Sequence, residues 1–269
     1  MNSRLNIALI QMISTPNVAE NLVKAEELIA QACANSVDLV VLPEFFIQIT
    51  TADDARRFNC AENLGSGAIQ QFMTEMAIKY QCYLVAGTIL IKHLATQKYY
   101  NTSIVFDPHG KQIAVYNKIH LFRFYDGIQH YDETMTFSAG EEIVTFEING
   151  FKLGLAICYD LRFPELFRQM GIVDGIILPS AFTYATGLAH WELLCKSRAV
   201  ENQCYFVGVN QGGVHVTGRH TYGHSLVINP WGEVVTECAE GEQVLYARLE
   251  RTKINEVRKK LPALEHRVL

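Results

Sequence analysis

A chain of 269 residues with 49% hydrophobic and 19% charged side chains has the balance of a globular protein able to bury a large core. Its formal net charge of -5, from 23 basic against 28 acidic residues, and the lack of any long Lys/Arg run argue against a nucleic acid partner. No segment approaches the roughly 18 apolar residues of a bilayer span, and Ile7–Ile10 is too short for a signal-peptide core, so no membrane partner is expected. The seven cysteines (33, 60, 82, 158, 195, 204 and 238) are odd in number and form no C-x-x-C pair, which disfavours a disulfide scaffold or a thiolate zinc site. A reducing, cytoplasmic setting follows, with one domain over residues 1–269.

The first expected strand is Leu5–Gln11. Asn17 and Glu20 then stand at capping-box spacing, and Leu22, Ala25, Leu28, Ile29 and Ala32 recur with helical period. A second apolar run, V-D-L-V-V-L, stops at Pro43-Glu44, so Glu44 falls at the carboxyl end of a strand. Another amphipathic helix runs through Ile69, Phe72, Met73, Met76, Ala77 and Tyr80, and Tyr83–Ile91 reads as one strand. Strands 103–106 and 112–116 flank the turn Asp107-Pro108-His109-Gly110. After a loop from Leu121 to Gly140, strands 143–148 and 151–157 are joined at Asn149-Gly150, a hairpin signal. Beyond Cys158 the pattern gives a helix opened by Pro164, strand 175–178, a helix around Trp191, Leu194, Cys195, Arg198 and Ala199, and strands 205–209 and 225–228 before the turn Asn229-Pro230-Trp231-Gly232. Helices alternating with strands, hairpins included, predict an α/β protein with mixed sheets covered by helices. Ligands in such folds sit beyond the carboxyl ends of strands, a rule that selects Glu44 and Cys158 together.

Three residues carry the candidate chemistry. Cys158 ends an apolar strand in A-I-C-Y-D-L-R-F-P-E, where outward N–H groups and the following helix end favour a thiolate and an oxyanion, with Asp160 available as a cap. Glu44 stands before two phenylalanines, and burial there would suit it to general-base work. Lys118, in Y-N-K-I-H-L-F, is a cation able to stabilise a thiolate and then a tetrahedral oxyanion. Taken singly, each has an ordinary reading as a buried cysteine, an exposed glutamate and a solvated lysine.

Together they resemble the nitrilase superfamily of carbon–nitrogen hydrolases, whose triad is Glu, Lys and Cys in this chain order. The resemblance runs from Leu5 to about Arg267 and rests on Leu42-Pro43-Glu44, Lys118-Ile119-His120-Leu121 and Cys158-Tyr159-Asp160-Leu161-Arg162-Phe163-Pro164-Glu165. Pro179-Ser180-Ala181-Phe182, Ala189-His190-Trp191-Glu192, Arg198–Gln203 and Tyr222-Gly223-His224-Ser225 resemble its Nit branch of omega-amidases and deaminated-glutathione amidases. Asn117, Leu188 and the segment 122–132 depart from the branch pattern, and the departure at 122–132 leaves the exact amide open. The resemblance implies a four-layer α-β-β-α sandwich of two mixed sheets flanked by helices, and a homodimer or larger homo-oligomer.

It also implies an enzyme that hydrolyses the C–N bond of a small carboxylate-bearing amide, releasing ammonia through a thioester on Cys158, with no cofactor and no metal. Glu44, Lys118 and Cys158 would be catalytic, Glu133 would position Lys118 and the substrate, and the Tyr159 backbone N–H would be an oxyanion donor. Arg162, Arg198 and Arg219 are candidates for the substrate's far carboxylate. Nitrile or N-carbamoyl hydrolysis and acyl transfer use the same triad and are the alternatives, followed by an idle binding protein. Two rival sites are a metal held by His215, His220 and His224, which lack the helical spacing of a zinc protease, and a papain-like pair of Cys158 with His190, which lacks that family's cysteine signature.

Overall fold

The structure is a computed structural model that describes residues 3–51, 54–125 and 130–268. Two mixed sheets lie face to face. In the first, Arg4–Gln11, Leu39–Val41 and Tyr83–Val85 run parallel. Gln243–Glu250 is antiparallel at one edge, and Tyr99–Phe106, with Ile89–Lys92 and Gln112–Asn117, closes the other. In the second, Phe151–Leu155, Gly175–Ser180 and Tyr205–Asn210 form the parallel centre. Thr145–Ile148 borders one side, and Leu226–Ile228 followed by Val234–Glu237 the other.

Period-two burial explains the layering, because successive side chains on a strand point to opposite faces. Leu5, Ile7, Leu9, Leu39, Val41, Val85 and Val105 join the core between the sheets. Their neighbours Ala8, Ile10, Val40, Leu42, Leu84, Ile104 and Phe106 turn the other way. There they meet Ala25, Leu28 and Ile29 of the helix Val18–Cys33, and Met73, Met76 and Ala77 of Ala68–Tyr80. Behind the second sheet lie Pro164–Gln169 and Tyr184–Asn202, which contribute Leu166, Phe167, Trp191, Cys195 and Ala199. Trp191 lies so close to Gly208 that a Cβ there would come within 2.7 Å of its ring. The result is the expected α-β-β-α sandwich.

Several local expectations hold in detail. Asn17 Oδ1 accepts from the N–H groups of Ala19 and Glu20, while its Nδ2 donates to Glu20 Oε1 at 2.9 Å. Asn149 and Gly150 both have positive φ, 51° and 83°, the backbone required by a two-residue hairpin turn.

Other expectations are corrected. Tyr83–Ile91 is not one strand: Tyr83–Val85 and Ile89–Lys92 lie along the same edge of Tyr99–Phe106, interrupted at Gly87. Gly87 has φ +41°, and a Cβ on it would strike the carbonyl oxygen of Pro43. The break turns Thr88 so that its Oγ1 accepts from the Phe45 N–H at 2.9 Å, and so fixes the segment that carries Glu44. The stretch 121–140 is not all loop either. It holds Arg123–Tyr125 paired with His130–Asp132 and a turn at Glu133–Met135, although residues 126–129 of the departure at 122–132 lie outside the described residues. Past Trp231 the chain still adds strands 234–237 and 243–250 and the helix Arg251–Lys260, elements that the sequence reading left unassigned.

Candidate active site

Glu44 follows the strand Leu39–Val41, and its carboxylate is 1% exposed. Three donors hold it. Oε1 accepts from Lys118 Nζ at 2.9 Å and Asn101 Nδ2 at 2.8 Å, and Oε2 from the Ala181 N–H at 2.9 Å. The second sheet also holds its backbone, since Gln211 Nε2 donates to the Glu44 carbonyl. Lys118, equally buried, follows the strand Gln112–Asn117. Its backbone N–H donates to the Asn101 carbonyl, and its carbonyl accepts from Gly140. Its ammonium bridges Glu44 and Glu133, with 3.0 Å to Glu133 Oε2. Burial works against that charge, but the carboxylates of Glu133 and Glu44 override it and hold Lys118 protonated above its ordinary range. Glu133 is aimed by the Phe122 N–H, which donates to Oε2 at 2.7 Å. Burial raises its carboxyl, with Lys118 pulling the other way.

Cys158 lies on a tight turn, Cys158–Arg162, rather than on a long helix, and it takes φ +47°, a left-handed backbone that non-glycine residues adopt at a cost of about 1–3 kcal/mol. Asp160 holds this turn. Fully buried, it accepts from the Ile157 N–H at 2.9 Å and the Tyr116 hydroxyl at 2.7 Å through one oxygen. Its other oxygen takes the His120 N–H at 3.0 Å and His120 Nδ1 at 2.7 Å. Tyr116 and His120 flank Lys118 in sequence, so one carboxylate locks the cysteine turn to the lysine strand. Asp160 thus caps the 158–162 turn, not the helix opened by Pro164, which spans only six residues.

Burial and the adjacent Glu44 charge push the Cys158 thiol well above its ordinary value, and they outweigh the opposing pull of Lys118 and the Ala181 N–H. That direction favours the neutral thiol over the thiolate.

Glu44, Lys118, Glu133 and Cys158 therefore meet at one pocket of about 750 Å³, also lined by Tyr159. Of the remaining candidates, Arg162, Arg219 and His220 also line this pocket, and none joins the four-residue cluster. Arg198 donates to the Leu161 carbonyl and pairs with Glu201, so it is structural. His190 faces Arg162 rather than Cys158. His215, His220 and His224 point to separate partners, namely the Ser14 carbonyl with Thr221, Glu240, and Glu237. Among the described residues no three His, Cys, Asp or Glu side chains are grouped to hold a metal ion. Sequence reasoning missed Asn101, whose signal was a polar N-T-S run inside a strand, and missed Ala181, whose contribution is a backbone N–H.

A buried carboxylate, ammonium and thiol thus stand together at strand ends of an α-β-β-α sandwich. The carbon–nitrogen hydrolase family model matches residues 6–259, and the chain belongs to that family of enzymes. It is 37% identical over 268 residues to a deaminated glutathione amidase of Synechocystis sp., covering 97% of each chain. It is likewise 37% identical to the omega-amidase NIT3 of Saccharomyces cerevisiae, covering 99% of this chain and 94% of the relative. The crystal structure of Saccharomyces cerevisiae Nit3, a member of branch 10 of the nitrilase superfamily, aligns over 97% of this chain and 96% of its own, with a TM-score of 0.87 at 36% identity.

Proposed function

We propose that this enzyme is a cysteine-dependent amidase that hydrolyses the C–N bond of a small carboxylate-bearing amide, of the omega-amidase or deaminated glutathione type. The observation that carries the reading is the convergence of Glu44, Lys118 and Cys158 on one pocket. Glu44 takes the thiol proton as the Cys158 sulfur attacks the carbonyl carbon, so the thiolate forms only as negative charge moves onto the substrate oxygen. Lys118 Nζ and the Tyr159 N–H receive that oxyanion. The Tyr159 N–H belongs to the first positions of the 158–162 turn, where no acceptor exists within the helix. Collapse of the tetrahedral species breaks the C–N bond. Glu44 passes its proton to the leaving nitrogen, which departs as ammonia or an amine, and leaves a thioester on Cys158. Glu44 then deprotonates a water that attacks the thioester, and the carboxylic acid leaves with the thiol restored. Glu133 keeps Lys118 charged and aimed throughout, and the cycle requires no cofactor or metal.

The reading extends to a single catalytic domain over 1–269, a cytoplasmic setting and a homodimer or larger. No described helix is long and apolar enough to cross a membrane. Exposed Leu188 and Leu193 on the helix Tyr184–Asn202 offer apolar surface to a second copy, which sedimentation would detect. The test of function is a release assay with 2-oxoglutaramate, 2-oxosuccinamate, deaminated glutathione, a simple nitrile and an N-carbamoyl amino acid. Turnover of the first three and not the last two is expected, and inactivity on all five would discard the reading.

A further inference from the structure

The walls of the pocket carry guanidinium groups that pair with no carboxylate among the described residues. Each of its acids has a cation: Glu44 and Glu133 share Lys118, and Asp132 pairs with Arg123. Arg57 is taken up over the Phe58 ring at 4.5 Å. Like Arg57, the lining residues Arg162 and Arg219 have no carboxylate partner among the described residues; Arg162 lies 5.7 Å from the Phe182 ring centroid and Arg219 5.9 Å from that of Tyr131. They reach the pocket from different segments and are anchored separately. Arg162, on the cysteine's own turn, faces His190 Nδ1 at 3.4 Å, and Arg219 Nη2 donates to the Ala181 carbonyl at 3.1 Å.

Arg219 shows what a bound anion would complete. Its Nε–H is buried with no acceptor, and so is the hydroxyl of Thr217 two residues earlier; both residues line the pocket. A buried donor left unpaired costs about 1–3 kcal/mol, and a native structure retains one where it has a use. The loop that carries them is rigid. The Arg219 carbonyl accepts from the His215 N–H and the His215 carbonyl from Gly218, each at 2.8 Å, while the His215 ring is pinned between the Ser14 carbonyl and Thr221. The histidine-rich motif thus serves as the pillar of a fixed cation. Space agrees as well, since about 750 Å³ is the size of pocket that takes drug-sized ligands, larger than a single-carboxylate monoamide of ten heavy atoms needs.

We propose that Arg219, with Thr217, is a second anion subsite that selects amides bearing two carboxylates over amides bearing one. The subsite rests on the amidase reading above. A planar guanidinium fixed at one corner by Ala181 presents its remaining N–H groups as a fork, the geometry that grips a carboxylate with two parallel bonds.

The test uses the intact enzyme and three amides: 2-oxoglutaramate with one carboxylate, deaminated glutathione with two, and deaminated glutathione whose terminal carboxylate is converted to a carboxamide. The readout is the ratio of kcat/KM for the doubly to the singly anionic substrate. Arg219→Gln should lower this ratio about tenfold to a hundredfold, chiefly through KM, as loss of a charged hydrogen-bonded contact implies. Arg219→Lys should recover part of it, because the charge returns without the fork. The wild type should discriminate against the carboxamide analogue by a similar factor. A ratio unchanged in Arg219→Gln, or a wild type that treats the carboxamide and its parent alike, overturns the subsite while leaving the amidase intact. A wild type that cleaves none of the three refutes the amidase reading and the subsite with it.

Discussion

On the floor of the pocket, Lys118 stands 2.9 Å from Glu44 and 3.0 Å from Glu133, all three charges paired, whereas on the walls Arg162 and Arg219 meet a histidine, a carbonyl and aromatic rings but no carboxylate among the described residues. The floor is assembled from strand ends whose backbone is tied across both sheets, and the walls come from turns and loops. The contrast separates two tasks. A reaction centre must hold its groups in one protonation state and one geometry before substrate arrives, which calls for internal pairing. A recognition surface must leave charge unspent, so that the substrate becomes the partner.

The contrast breaks first at the sulfur. Cys158→Ala should abolish amide turnover, a fall of at least about 10⁴-fold, while circular dichroism and the thermal midpoint stay near those of the parent, since the change is small and the role chemical. Appreciable residual turnover in a protein free of wild-type contamination would remove the thioester route. Next comes Lys118→Met. Two buried carboxylates would lose their shared cation, so stability should fall by about 3–5 kcal/mol in urea unfolding, and kcat by about 10²–10³-fold. The same change at Arg162 should cost under about 1 kcal/mol, because no acid there depends on it. Equal stability losses at both positions would erase the distinction between floor and wall.

A third experiment addresses the loop behind Arg219. Burial holds the His215 imidazole neutral, its pKa lowered to about 4. Unfolding restores the ordinary value of about 6.5, so between those limits the unfolded chain binds a proton that the folded protein refuses. Stability from this group is full above pH 6.5 and is lost as pH falls toward 4, by about 3 kcal/mol in all. His215→Gln should therefore flatten the decline of unfolding free energy between pH 7 and 4 by that amount. An unaltered slope would show that the histidine is not held neutral.

Legibility in the sequence divides along the same line. Glu44, Lys118 and Cys158 each end an apolar run, and a charged or reactive residue where a strand stops is visible as a break in pattern. The two central parallel segments, the hairpin at Asn149-Gly150 and the Asn17 cap were visible because period and turn chemistry are local. What could not be read is what depends on partners far along the chain. Asp160 is a hub only because folding brings Tyr116 and His120 to it, and Arg219 lacks a carboxylate partner only because no acid among the described residues is folded against it. The upward push on the Cys158 thiol is of the same kind, since it follows from burial beside Glu44, 114 positions earlier in the sequence. The hairpin 123–125/130–132 was missed because three-residue strands are too short to establish a period.

The smallest expected effect is at Asn101, where floor geometry is set by a neutral residue. Its carbonyl accepts from the Lys118 backbone and its Nδ2 donates to Glu44 Oε1, so a single side chain spaces the ammonium from the carboxylate. Its own Oδ1 is buried without a donor, a cost retained at a position 1% exposed. Asn101→Ala keeps the backbone bond and removes the amide, leaving Glu44 with Lys118 and Ala181. Turnover should fall only about tenfold, through kcat, as for loss of one hydrogen bond to a charged group. Asn101→Asp preserves shape but sets a second carboxylate beside the first. Two like charges in one site hold a proton more tightly than one does, so the acidic limb of kcat/KM should move to higher pH in this variant and stay in place in Asn101→Ala. A limb that moves equally in both, or in neither, would mean that Asn101 fills space and does not govern the charge of its neighbour.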